Sequence, residues 1–208
     1  MRDYSKLTAK IEQLRRDDPD GKAGEAWSHQ YRLLPPLEYH RLEEFERRHE
    51  IVFPEEYREF LLQVAGGGTG PGCDGLWALD VERDHGDLLQ RPFPFEKLWC
   101  PVCFSETREQ ARARTGAVDL TQGSLGIGSY GCSLVIHLVV SGAARGQIWV
   151  DDLGSDNGFW PDGEFCPCFF DSPEGYERAK GNQRRFTFFD WYENWIRGIY
   201  DELAGKEV

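Results

Sequence analysis

The segment SLGIGSYGCSLVIHLVVSGAARGQIWVDD, residues 124–152, restricts the possible folds of this chain more than any other segment. Its run of β-branched and large apolar residues at 134–140 predicts a buried strand, interrupted only by His137. Residues 141–146 contain two glycines and predict a turn, after which residues 147–151 return as the partner strand. The segment therefore predicts an antiparallel β-hairpin, and the rest of the chain must supply what covers it.

A glycine run directly follows the clearest helical pattern. Residues 54–64 begin with a proline and carry apolar side chains at i, i+3, i+4 and i+7, which predicts a helix with one apolar face. Phosphate-binding glycine loops lie between a strand and a following helix, whose N–H groups meet the phosphate. Here GGGTGPG, residues 66–72, comes after the helix and no Gly-Lys-Ser/Thr follows. The order predicts a left-handed glycine cap and a tight turn.

The remaining segments alternate between helical patterns and loops. Helical periodicity also occurs around residues 7–14, 37–49, 109–120 and 187–203. In the last of these helices, Thr187 and Asp190 would form a capping box. Residues 15–26 predict a linker, residues 75–82 a strand, and residues 152–171 a loop rich in Gly, Asp and Pro.

The charge balance excludes some classes of partner. The chain has 24 basic and 36 acidic residues, a formal net charge of −12. Such a chain is not expected to bind nucleic acid or an anionic membrane, so basic proteins are the expected partners. The N-terminus has no apolar signal region, and no apolar run approaches the roughly 18 residues that a membrane span needs. These features predict a cytoplasmic protein with reduced cysteines.

Motifs for catalysis are not found. The sequence contains neither G-x-S-x-G nor H-E-x-x-H, and its five histidines are scattered. His137 lies within the apolar run, where a hydrogen-bonded histidine in the sheet is the expected explanation. The sequence therefore predicts that the protein is not an enzyme.

The cysteines leave one metal hypothesis open. Cys100 and Cys103 form a C-x-x-C pair, and Cys166 and Cys168 form a C-x-C pair. Four thiolates could hold one zinc ion, although only the first pair has the usual spacing. The expected alternative is that these are buried thiols beside aromatic residues, with no cofactor. A calcium loop within residues 151–164 is disfavoured because, with Glu164 at its twelfth position, Leu153 would occupy the first ligand position.

Acidic residues concentrate in two segments, which supply the candidate binding residues. One is the predicted loop after the hairpin, where acids accompany an aromatic side chain, and the other follows residue 79. The partner-binding candidates are Asp151, Asp152, Asp156, Trp160, Asp162, Glu164, Asp80, Glu82 and Asp84. Acids around an aromatic anchor suit the capture of a basic protein. The alternative is that these charges only keep the protein soluble.

Several segments, in the same order, resemble the SUKH superfamily of SMI/KNR-type domains. FPEEYREFLLQVAGGGTGPG is similar to the family's LPEEYREFL element and glycine turn, although Phe53 stands where leucine is usual. GCSLVIHLVVSGAARGQIWVDD is similar to its Gly-Cys strand, Ser-Gly turn and returning strand, and FTFFDWYENWI to its closing helix. The resemblance covers about residues 37–203, and segment 92–104 lies outside the pattern.

This resemblance implies an α+β fold, a single domain with an antiparallel β-sheet flanked by helices, and no catalysis. Residues 1–30 lie outside the resemblance and are predicted to form an N-terminal helix and linker, and residues 31–208 would form the SUKH-like domain. Bacterial members are associated with immunity against polymorphic toxins, many of them nucleases, and fungal members regulate cell-wall synthesis through protein contacts. The implied function is an immunity protein that neutralises a cognate toxin by occlusion. The alternative is a regulatory interaction scaffold without a toxin partner.

Overall fold

The computed structural model describes residues 3–116, 119–155, 158–164, 174 and 184–206 of the chain. The helices are α1 (Tyr4–Asp17), α2 (Tyr39–Arg48), α3 (Glu55–Gln63), α4 (Pro101–Phe104), α5 (Arg108–Thr115) and α6 (Phe188–Leu203), with a 3-10 turn at Ala23–Glu25. The strands are β1 (Ser124–Gly131), β2 (Leu134–Val139), β3 (Ile148–Asp152) and β4 (Gly158–Pro161). The fold is α+β, as the resemblance predicted. Among the described residues, no helix combines the length and the apolarity needed to cross a membrane.

The strands form one antiparallel sheet in the order β1-β2-β3-β4. The predicted hairpin is confirmed, because β2 pairs with β3 and Ile136 lies opposite Val150. The prediction of a loop over residues 152–171 is wrong at β4, which pairs with β3. Phe159 of β4 is fully buried, and a Cβ on Gly158 would lie 2.1 Å from the carbonyl oxygen of Trp99. The strand is therefore held between β3 and the Trp99 segment, a contact that the Gly- and Asp-rich sequence does not reveal.

Residues 75–82 do not form the predicted strand. Within this segment, Leu76 makes an isolated bridge with Gly68. The segment still lies against β1, because the Trp77 N–H donates to the carbonyl oxygen of Ile127 at 2.8 Å. Its alternating pattern thus reflects an extended segment at the edge of the sheet.

Both faces of the sheet are covered. On one face, Ile136 and Leu138 belong to a core that also includes apolar side chains of α1, α2, α3 and α6. On the other face, Trp149 and Phe159 pack with aromatic residues of segment 93–99. A sheet buried on both sides explains why the run in β2 is continuously apolar rather than alternating.

The N-terminal residues pack on the closing helix. The apolar face of α1 is buried in the same core as α6, and the ring of Tyr4 meets the ring of Phe189 edge-on at 5.4 Å. In the segment predicted as a linker, Ala23 and Ala26 are buried, and Asp18 accepts a hydrogen bond from the Tyr31 hydroxyl at 2.8 Å. The domain boundary at residue 30 stays a prediction.

The glycine run is a crossing point of chain segments rather than a helix cap. Helix α3 ends in right-handed backbone at Val64, and the first positive φ angle of the run is at Gly67. The predicted left-handed cap is therefore wrong. Gly68 has a φ of 106°, and a Cβ there would lie 2.5 Å from the carbonyl oxygen of Arg32. The glycines let the chain pass between neighbouring segments where a side chain would not fit.

The predicted capping box of α6 is also wrong. Thr187 is the N-cap residue, but its side chain makes no capping hydrogen bond. The carboxylate of Glu56 in α3 instead accepts from the Phe189 N–H at 2.8 Å. A long-range carboxylate thus satisfies one of the free N–H groups at the start of α6.

Candidate protein-binding surface

The first two acidic candidates lie in strand β3 and are buried. Asp151 is 7% exposed and Asp152 is 6% exposed. Asp151 accepts a hydrogen bond from His137 Nε2 at 2.6 Å, and Asp152 accepts one from the Ser133 hydroxyl at 2.8 Å. The expectation of exposed loop acids is therefore wrong for both residues. Asp151 pairs with Val135 of β2 and Phe159 of β4, and Asp152 pairs with Gly158 of β4, so neither residue lies in a loop.

The other described candidates of that segment are partly buried. Asp162 accepts a hydrogen bond at 2.6 Å from a tyrosine hydroxyl, and Glu164 forms an ion pair at 2.6 Å with Arg185. Trp160 is partly buried in β4. Asp156 lies outside the described residues. Within its described residues, this segment does not present the row of exposed acids that the sequence predicted.

The second acidic stretch is exposed and lies beside an exposed aromatic side chain. Asp80, Glu82 and Asp84 are all exposed, and Trp77 is 41% exposed. We call Trp77, Asp80, Glu82 and Asp84 the acidic face. The combination of acids and an aromatic anchor that the sequence suggested around Trp160 is found here instead. Trp77 was missed because its segment was interpreted as an ordinary half-buried strand.

Two side chains at the end of α2 hold the backbone of the acidic face in place. Arg48 donates to the carbonyl oxygen of Val81 at 2.9 Å, and Val81 itself is buried. His49 places its two ring nitrogens 3.2 Å from the carbonyl oxygen of Arg83 and 3.4 Å from that of Gly86. Because the loop is fixed before it meets a partner, little conformational entropy is lost when it binds.

Two carboxylates of the acidic face are not neutralised within the described part of the chain. Glu82 lies 3.4 Å from the guanidinium of Arg41, an exposed pair of little energetic value. Asp80 and Asp84 form no ion pair with any described basic residue; each accepts a hydrogen bond from a backbone N–H two residues ahead, at 3.1 and 2.8 Å. No described side chain therefore offsets the charge of these two exposed carboxylates.

A cavity of about 70 Å³ lies at the foot of the acidic face, with Trp77, Arg83 and His85 among its lining residues. Burial, together with the positive charge of Arg83, lowers the pKa of His85, so this imidazole is neutral near pH 7. Pockets for small molecules have volumes of about 300–1,000 Å³. This cavity is too small for such a ligand, and the surface around it suits contact with a protein.

A serine, a histidine and an aspartate meet inside the sheet. Ser124 Oγ lies 3.0 Å from His137 Nδ1, and His137 Nε2 lies 2.6 Å from Asp151. All three residues are buried, and the Ser124 hydroxyl donates to the carbonyl oxygen of Thr121 at 2.6 Å. A nucleophile must reach its substrate, so this arrangement has the residues of a hydrolase triad without its access. The expected hydrogen-bonded sheet histidine is confirmed.

The metal hypothesis is only half within the described residues. Cys100 is buried immediately before α4, and Cys103 is exposed on that helix. Cys166 and Cys168 lie outside the described residues. Among the described residues, no group of three or more His, Cys, Asp or Glu side chains is arranged to hold a metal ion. A four-cysteine zinc site stays a prediction.

Comparison with known proteins identifies the family but no individual relative. The profile of the SMI1 / KNR4 family (SUKH-1) matches residues 39–176, which is 138 of the 208 residues. The match runs from the start of α2 and includes the acidic face and the whole sheet. No curated protein and no solved structure matches the chain. The chain belongs to the SMI1 / KNR4 family (SUKH-1).

Proposed function

We propose that this protein is an immunity protein that binds a basic toxin through the acidic face and blocks the toxin by occlusion. The observation that carries the proposal is the exposed indole of Trp77, which lines the same cavity as Asp80, together with the exposed carboxylates of Asp80 and Asp84, which form no ion pair with a described basic residue. Domains of this family are generally non-catalytic and bind other proteins. A toxin that acts in the cytoplasm would be met there by its inhibitor.

Occlusion is consistent with the chemistry of the acidic face. An enzyme that cleaves nucleic acid carries a basic surface to hold phosphates. Carboxylates opposite that surface would speed the encounter and compete with the phosphates, whereas an indole that becomes buried in the interface would slow dissociation. Neither effect requires this protein to carry out a reaction.

The test is survival of cells that co-express this chain with the candidate toxin encoded by the adjacent gene. We expect the unaltered chain to protect and the triple variant Trp77→Ala, Asp80→Asn, Asp84→Asn to lose protection while remaining folded. A matched control changes another exposed tryptophan and two other exposed acids, with Trp27→Ala, Glu12→Gln and Asp20→Asn.

Two outcomes of this experiment would change the proposal. If the triple variant protects as well as the unaltered chain, the acidic face is not the inhibitory surface. If the unaltered chain does not protect, yet retains a cellular protein through the acidic face, the protein is a regulatory scaffold rather than an immunity protein.

A further inference from the structure

A second concave site lies between the end of β1 and helix α6. It is a cleft of about 340 Å³, a volume in the range of ligand sites. Its aromatic walls are Tyr130, Phe186, Trp191 and Trp195, and the polar side chains that line it are Asp162 and Asn194. It shares no lining residue with the acidic face, so a ligand could bind in this cleft whether or not the acidic face binds a toxin.

Asp162 is a partly buried carboxylate whose described partners are all neutral. The Tyr130 hydroxyl donates to Asp162 at 2.6 Å, and Trp191 Nε1 donates to the same hydroxyl at 3.0 Å. Burial raises the pKa of Asp162. The pKa of Tyr130 is also raised, first by burial and then by the negative charge of Asp162, so the phenol keeps its proton. No described lysine, arginine or histidine forms an ion pair with Asp162. A desolvated carboxylate without a counter-ion is costly, and a cation would offset that cost.

The walls of the cleft are suited to a cation as well. The faces of tryptophan and tyrosine rings carry negative potential and attract ammonium and guanidinium groups within about 6 Å. One cation–π contact is already present at a wall of the cleft, because the guanidinium of Arg184 lies 4.2 Å from the ring centroid of Phe186. Arg184 donates its hydrogen bond to Asn194 and not to Asp162. Asp162 therefore has no cationic partner among the described residues, and its carboxylate can accept a cation from outside.

We propose that this cleft binds an alkylammonium or guanidinium group, with the cation on Asp162 and its carbon chain against Trp191 and Trp195. Such a group is carried by the lysine and arginine side chains of a protein and by free polyamines. Both sources offer the same chemistry, a cation on a flexible apolar stem, which matches a carboxylate enclosed by aromatic rings.

The first experiment compares a cation with its neutral and anionic counterparts. Butylammonium chloride, 1-butanol and sodium butyrate are titrated into the whole protein at constant ionic strength. The indole N–H signal of Trp191 reports binding, because this N–H is bonded to the hydroxyl that contacts Asp162. We expect a saturable shift with butylammonium and at least tenfold weaker responses to the other two. An equal or stronger response to the alcohol or to butyrate would overturn the proposal.

The second experiment removes the negative charge of the Asp162 side chain. Asp162→Asn keeps the size of the side chain and its carbonyl acceptor, and Asp190→Asn removes an exposed charge elsewhere on α6 as a matched control. We expect at least tenfold weaker butylammonium binding for Asp162→Asn and unchanged binding for the control. Unchanged binding for both variants would refute the role of Asp162. If Asp162→Asn does not fold, the titration of the unaltered protein with the three probes still tests whether the cleft binds a cation.

The source of the cation is settled by two further probes, spermidine and the peptide acetyl-Gly-Lys-Gly-amide. Tighter binding of spermidine indicates a polyamine site, and tighter binding of the peptide indicates a subsite for a side chain of a protein partner. Either result supports the cation site, and a failure of both probes to shift the Trp191 signal overturns it.

Discussion

At the scale of single residues, Glu56 joins two helices that are far apart in sequence. Its carboxylate accepts the Phe189 N–H at the start of α6, where the helix dipole also favours negative charge. We expect Glu56→Ala to lower the free energy of unfolding by about 1 kcal/mol, a usual value for losing a helix cap. Urea unfolding measures this, with Glu55→Ala, its exposed neighbour, as the control. Equal stability of the two variants would show that the contact contributes nothing.

Substitution by alanine should change the stability of the protein in opposite directions at two of its glycines. At Gly68 a methyl group would lie 2.5 Å from a carbonyl oxygen and require a φ of 106°, so Gly68→Ala should cost about 2 kcal/mol or more. At Gly198 in α6 a methyl group meets nothing within 4 Å, so Gly198→Ala should stabilise by about 1 kcal/mol. Thermal unfolding of both variants is the measurement. A stable Gly68→Ala protein would contradict the close crossing described for the glycine run.

Asp162 should make stability depend on pH in a defined direction. Its pKa is raised in the folded state, so the folded chain holds this proton more tightly than the unfolded chain. Its stabilising effect is complete below the ordinary aspartate pKa and is lost as the pH rises through the raised value. Urea unfolding across this interval should show a decline that Asp162→Asn removes and Asp190→Asn retains. Identical pH profiles for the unaltered chain and Asp162→Asn would contradict the raised pKa.

At the scale of elements, a buried polar cluster connects three strands of the sheet. Ser124, His137 and Asp151 lie on β1, β2 and β3, so one imidazole bridges both strand pairs. We expect His137→Ala and Asp151→Ala each to destabilise the protein, with a coupling energy of at least about 1 kcal/mol in a double-mutant cycle. Urea unfolding of the four proteins gives this value.

Alanine substitutions in the same cluster distinguish a structural role of these side chains from a catalytic one. Additive effects of the two alanine substitutions would show that the imidazole–carboxylate contact does not hold the strands together. Ser124→Ala should cost about 1 kcal/mol of stability, the value of one hydrogen bond, and leave protection against a toxin unchanged. Loss of protection by a folded Ser124→Ala variant would contradict the proposal that the protein acts without catalysis.

The elements with strong periodicity could be predicted from the sequence, and those fixed by distant contacts could not. The hairpin of β2 and β3 and helices α2, α3 and α6 follow from local patterns. Strand β4 was missed because its four residues begin with Gly158 and end with Pro161, and only the pairing with β3 and the Trp99 segment makes them a strand. Similarly, the N-terminal contact of α6 comes from Glu56, which no pattern around Thr187 indicates.

For the candidate binding residues, the charge could likewise be predicted from the sequence, but the exposure could not. Acidity predicted a basic partner, but exposure depends on contacts between distant residues. Asp151 and Asp152 are buried by His137, Ser133 and the strands on either side, and none of these contacts is visible in the acidic segment itself. The exposure of Trp77 arises because its segment runs along the edge of β1 rather than inside the sheet.

At the scale of the whole molecule, the net charge of −12 supplies a general attraction for basic proteins, and we propose that the acidic face is where such a protein binds. Long-range attraction by charge acts mainly on the association rate and weakens with salt, whereas an aromatic anchor acts on dissociation. The two contributions can therefore be separated by kinetics.

The most direct test of the acidic face is the kinetics of binding to the proposed toxin at low and high salt. We expect Asp80→Asn with Asp84→Asn to slow association several-fold at low salt and to match the unaltered chain near 1 M salt, where the Debye length is about 3 Å. Trp77→Ala should instead speed dissociation and weaken binding by about 2 kcal/mol. Glu12→Gln with Asp20→Asn is the control of equal charge. Unchanged rates for both variants of the acidic face would contradict the account and place the binding surface elsewhere on the protein.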